Sequence, residues 1–140
     1  MMAALRQETG GARAVSGPPV ILLADNTFRE DGVGPIVTLE QHDRVLLLTV
    51  EISRVIDQQS LAVCIWGSTD GIEWDGKPLL SLPRKFYCGS YDIRFDLSNR
   101  PDVKYLRAQW HVSRWARDER KPLFTFHIAM RPCQHRIALD

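Results

Sequence analysis

The sequence predicts an all-β fold: an antiparallel β-sandwich of about seven or eight strands, jelly-roll or immunoglobulin-like. Three observations lead there. From Val20 to Met130 the dominant hydrophobic period is two residues rather than 3.6. Turn-forming residues recur every ~8–12 positions, the spacing of a sandwich or small barrel. No window of comparable length carries a helical period. Only Met1–Glu8 has helix-friendly composition, and it is too short to stand alone.

The elements follow in order. Residues 1–19 read as an arm, because Gly10, Gly11, Ser16, Gly17, Pro18 and Pro19 break any regular pattern and offer a core little. Val20–Ala24 is a short apolar strand, and Asn26 to Gly34 reads as a loop. Ile36–Glu40 is a second short strand. In Arg44–Ser53, Leu46, Leu48, Val50 and Ile52 share one face while Val45, Leu47, Thr49 and Glu51 share the other. A strand this apolar on both faces belongs in the middle of a sheet. Asp57–Ser60 is a turn, and Leu61–Trp66 the next strand, with Cys64 placed among its core residues. Tyr91, Ile93, Phe95 and Leu97 alternate cleanly with Asp92, Arg94, Asp96 and Ser98, whose charges fit a solvated face. After a turn at Asn99–Asp102, Leu106, Ala108, Trp110 and Val112 alternate with Arg107, Gln109, His111 and Ser113. A charged loop at Arg117–Pro122 leads to Phe124, Phe126, Ile128 and Met130 on one face of a last strand. The domain is thus expected over 20–132, with a tail at 133–140. Long strands joined by tight turns are expected to pair antiparallel with each other.

Composition narrows the function classes. At 140 residues, 44% hydrophobic and 25% charged, the chain is an ordinary single globular domain. No apolar run approaches the ~18 residues of a membrane span, and Arg6, Gln7 and Glu8 interrupt the apolar start before a signal peptide could form. The expected location is the cytoplasm, or a particle assembled there, with no membrane partner. Three cysteines (Cys64, Cys88 and Cys133) have neither disulfide nor metal spacing and are expected to be reduced. The net charge of +1 hides an asymmetry. Residues 1–83 carry 6 basic and 11 acidic side chains, net −5; residues 84–140 carry 12 basic and 6 acidic, net +6. Either the two halves intermix in space and cancel, or they form basic and acidic faces that dock neighbouring subunits. Near-neutral overall charge disfavours nucleic acid as a partner.

The most distinctive stretch is Trp66-Gly67-Ser68-Thr69-Asp70-Gly71-Ile72-Glu73-Trp74. Asp-Gly marks a tight turn, since glycine accepts positive φ. Ser68 and Asp70 can bond their own backbone there, and Trp74 can fold over the hairpin. This stretch resembles an "S-x-D-G-x-x-W" hairpin of small β-sandwich proteins encoded among phage and prophage structural genes. In that pattern a long apolar strand precedes the hairpin, and "K/R-Y-L-R-A-x-W" and "F-T-F" strands follow it. Here Val63-Cys64-Ile65-Trp66, Lys104-Tyr105-Leu106-Arg107-Ala108-Gln109-Trp110 and Phe124-Thr125-Phe126 stand in the same order, so the resemblance spans roughly Arg44 to Met130. It implies a structural or accessory subunit and carries no chemistry. The hairpin and Val103-Lys104-Tyr105-Leu106-Arg107 are also similar to parts of discoidin-like domains, which implies a sugar- or lipid-binding module. That likeness covers two short pieces.

Catalysis finds little support. His42-Asp43 and Asp25 lie near turns, but no nucleophile elbow or phosphate loop accompanies them. His111 and His127 fall on the polar faces of the last two long strands. Neighbouring strands would bring them together, with Cys133 and His135 in reach only if the tail folded back; a structural zinc needs four ligands. No catalytic, cofactor or metal residue is therefore assigned. The candidate binding residues are Trp66, Asp70, Trp74, Tyr105, Arg107, His111, Arg114, Trp115 and Arg117, where outward aromatics stand among arginines. The sequence favours a non-catalytic subunit of a larger assembly, self-associating or bound to other subunits. The alternative is a carbohydrate-binding module that uses Trp66, Trp74 and Trp115 as exposed platforms.

Overall fold

The computed structural model describes residues 19–40 and 44–133. Apart from Pro19 and Cys133, the expected arm and tail lie outside the described residues, as do His42, Asp43 and His135. Nine strands are present: β1 (Val20–Phe28), β2 (Gly32–Val33), β3 (Val37–Thr38), β4 (Val45–Val55), β5 (Gln59–Ser68), β6 (Leu80–Ser81), β7 (Gly89–Asp96), β8 (Tyr105–Arg114) and β9 (Phe124–Pro132). All pair antiparallel, in two sheets ordered β1-β9-β4-β7 and β2-β8-β5-β6, with β3 also on β8. Counting β2 and β3 as one interrupted strand gives two four-stranded sheets whose connections cross between sheets everywhere except β5–β6. That is jelly-roll topology, and it excludes the immunoglobulin-like alternative. Among the described residues no helix is long and apolar enough to cross a membrane.

The period-two pattern built these strands as expected. Leu46, Leu48, Val50 and Ile52 of β4 are buried, as are Leu61, Val63 and Ile65 of β5, Leu106, Ala108 and Trp110 of β8, and Phe124, Phe126, Ile128 and Met130 of β9. They form one cluster between the sheets, each large side chain contributing about 1.5–3 kcal/mol by leaving water. β4 is central, between β9 and β7.

Pairing between consecutive long strands was expected and does not occur. β4 and β5 lie in opposite sheets, as do β7 and β8, and β8 and β9. Their short connections cross the core instead of forming hairpins. A hairpin and a crossing turn both flank period-two strands, and only burial of each inner face against the other sheet separates them. Other details differ too. β1 runs on into the expected loop as far as Phe28, whose ring packs on Trp110 and Phe126 with centroids 4.7 and 5.0 Å away, and β2 forms at the loop's far end. Cys64 points outward, its Sγ 3.6 Å from the Ser81 Oγ, because Val63 and Ile65 take the inner face. All three cysteines are free.

Both halves of the chain contribute strands to each sheet, and the charge asymmetry cancels across them. Arg100 pairs with Asp75, Arg114 and Arg120 with Asp57, Lys121 with Glu30, and His127 lies 3.5 Å from both Asp25 and Glu51.

Candidate functional site

Eight of the nine candidate residues separate into two groups at opposite ends of the β5–β8 pair, and His111 lies between them. In this register Ser68 faces Tyr105 and Trp66 faces Arg107 at one end, while Gln59 faces Arg114 at the other. Ten paired residues at about 3.3 Å each place the ends some 30 Å apart.

At the first end, Trp66, Asp70, Trp74, Tyr105 and Arg107 do come together. Ser68 is buried, and its Oγ accepts from the Gly71 N–H at 2.8 Å and donates to the Glu73 carbonyl. The Asp70 carboxylate accepts from the N–H groups of Ile72 and Glu73, both at 2.9 Å. Those backbone donors, Glu73 first, hold its carboxyl below the ordinary value. Gly71 has φ +79, which a residue with a Cβ adopts only with strain, and its Cα faces the Tyr105 ring. The Trp74 ring stacks against the Arg107 guanidinium, 4.2 Å from centroid to carbon. The Trp66 indole donates to Gln109 at 2.8 Å. Both tryptophans are half-buried, so neither is the exposed platform that the sequence suggests. The Ser68, Asp70 and Trp66 side chains are thus engaged within the chain, whereas the Arg107 Nε is buried without a hydrogen-bond partner.

His111 lies further along β8, where its ring bonds Asp31 at 3.1 Å. The Val112 N–H, and then His111, keep the Asp31 carboxyl below its ordinary value. His111 and His127 are not neighbours, because β8 and β9 belong to opposite sheets. Among the described residues no group of three or more His, Cys, Asp or Glu side chains could hold a metal.

The second end differs in character. Arg114 is a structural residue: its side chain is only 3% exposed. It donates to both Asp57 and Asp118 and to the carbonyls of Asp57 and Arg120. Arg114, followed by Arg120, holds the Asp118 carboxyl far below the carboxylate range, and Arg114 lowers Asp57 likewise. Arg117 is exposed in the loop beyond. Trp115, tied to the turn by its N–H to the Gln58 carbonyl at 2.9 Å, is 56% exposed. Its ring meets Phe86 edge-on at 6.3 Å, and Phe86 in turn lies 6.2 Å from Tyr87, which is 74% exposed. These three rings and the Val55–Gln59 turn line an open cleft of 470 Å³. Sequence reading missed Phe86 and Tyr87. They sit in Pro83–Gly89, which has no period, and two adjacent aromatics in such a segment were the available signal.

The chain matches no protein-family model, and neither characterised proteins nor solved structures provide a match.

Proposed function

We propose that the protein is a non-catalytic structural or accessory subunit of a larger assembly, of phage or virion type, acting through protein–protein contacts in the cytoplasm or in a particle built there. The observation that carries this reading is the exposed aromatic end: Phe86, Tyr87 and Trp115 over an open cleft. Aromatics with one polar edge are enriched at protein interfaces and dominate their binding energy. Arg120, bound to the cleft residue Asp57, adds a charged group at the edge of these rings, as interface rims carry. The class of assembly comes from the resemblance of the Val63–Trp66, Ser68–Trp74, Lys104–Trp110 and Phe124–Phe126 motifs, in that order, to phage-type sandwich proteins. Jelly rolls serve many unrelated functions, so the topology adds no specificity.

One feature favours carbohydrate as the second reading. Stacking faces line the cleft together with the polar residues Asp57, Gln58 and Gln59, the combination that sugar sites use.

Cross-linking mass spectrometry in the cells of origin tests the first reading, because Lys85 adjoins the rings. Crosslinks from Lys85 to one defined protein are expected, and Trp115→Ala with Tyr87→Ala should abolish them. Their absence, together with tight binding on a glycan array, would transfer the function to carbohydrate.

A further inference from the structure

The open edges of the two sheets are not equivalent. β1 borders its sheet with register shifts between Ile21 and Leu23 and between Leu23 and Asn26, so its free side is broken by bulges. β2, β3 and β6 border the other sheet and are two residues each. β7 stands apart. It pairs with β4 in unbroken register from Gly89 to Asp96 and, among the described residues, has no strand on its other side.

The phase of that ladder is fixed where the Leu97 N–H donates to the Arg44 carbonyl at 2.7 Å. By antiparallel alternation, Phe95, Ile93 and Tyr91 then turn their peptide groups toward β4, and Arg94, Asp92 and Ser90 turn theirs outward. A regular free edge of this length is a template for another strand. Its side chains indicate which strand. Ser90, Asp92, Arg94 and Asp96 lie exposed on the outer face, and Thr49 donates to the Asp92 carboxylate at 2.7 Å. Tyr91 and Ile93 are only half-buried, at the rim of the inner face.

We propose that two copies of the chain join through β7, strand antiparallel to strand about a two-fold axis at Ile93, fusing two four-stranded sheets into one of eight. This register sets Asp92 of each copy opposite Arg94 of the other, in hydrogen-bonded pairs made by the outward peptide groups. Ser90 lies opposite Asp96, and Ile93 meets Ile93. The two-fold makes each favourable pair occur twice. An axis at Arg94 or Asp92 instead sets like charges face to face, which is destabilising in cross-strand pairs. An axis at Phe95 also matches opposite charges but leaves the first half of β7 unpaired. The charge order Asp-Arg-Asp therefore selects a second copy in one register. The rims of Tyr91 and Ile93 are covered in the same step.

This pairing rests on the reading of the protein as an assembly subunit, and the full-length chain tests it by sedimentation velocity. The wild type is expected to be a dimer. Arg94→Asp and Asp92→Arg should each weaken self-association about tenfold or more, since each turns two attractive pairs repulsive. Combining both substitutions restores the charge match and should restore the dimer, which also separates lost pairing from lost folding. A monomeric wild type, or a double variant no stronger than the singles, overturns the pairing. The two ideas fail separately. A monomer that still crosslinks through Lys85 removes only the β7 contact, and a dimer without Lys85 crosslinks removes only the aromatic-end contact.

Discussion

Two ends of one strand pair behave differently, although both drew notice in the sequence. At the Ser68–Trp74 turn the Ser68 and Asp70 side chains bond the turn's own backbone, Arg107 covers the Trp74 ring and Gln109 accepts from the Trp66 indole. At the other end, Trp115, Phe86 and Tyr87 present their rings to solvent beside a fully engaged Arg114. A conspicuous motif can be conspicuous because it closes a turn. A surface available to a partner is one whose groups the fold leaves unused. The same contrast appears five residues apart: Trp110, within β8, is 4% exposed, and Trp115, just past the end of that strand, is 56% exposed.

Mutations at the two ends put this contrast to the test. Trp110→Ala should have the largest effect, costing about 3–5 kcal/mol, because the ring packs on Phe28 and Phe126 and its indole donates to the Glu30 carbonyl at 3.0 Å. Denaturant unfolding measures it, and a cost below that of Ser68→Ala would contradict the packing. Ser68→Ala should come second, at about 1–3 kcal/mol, since it removes a buried hydroxyl and leaves the part-buried Gly71 N–H and Glu73 carbonyl without their partner.

Acid titration probes the Arg114 corner. Asp57 and Asp118 titrate below the ordinary 3.8, so between the folded and unfolded values the unfolded chain binds more protons. Their contribution is complete above that value and is lost as the pH falls below it. Arg114→Leu should raise both carboxyls and flatten this acid limb in melts recorded against pH; an unchanged limb would show that other carboxylates dominate it. Trp115→Ala should have the smallest effect on stability, within about 0.5 kcal/mol, as for surface positions generally. A larger loss in the same unfolding assay would mean that Trp115 closes the core rather than serving a partner.

What was legible in the sequence was local. The faces of β4, β8 and β9 follow from period two, because successive side chains of a strand point to opposite sides whatever the strand's neighbours are. The Asp70-Gly71 turn follows from Ser68 and Asp70 bonding their own backbone within five residues. Even the central place of β4 could be read from its two apolar faces. Whatever depends on distant partners was settled by how the two sheets pack. A turn such as 56–58 crosses between sheets rather than closing a hairpin because the inner faces of β4 and β5 bury best against each other across the core. The acidic first half and basic second half cancel because strands from both are interleaved in each sheet. Arg114 is a structural residue because Asp57 and Asp118 meet there from opposite sides of it in sequence, and Trp115 is exposed because the chain has already left the sheet. Hydrophobic period is a property of one strand, whereas pairing, charge cancellation and exposure are properties of the whole sandwich.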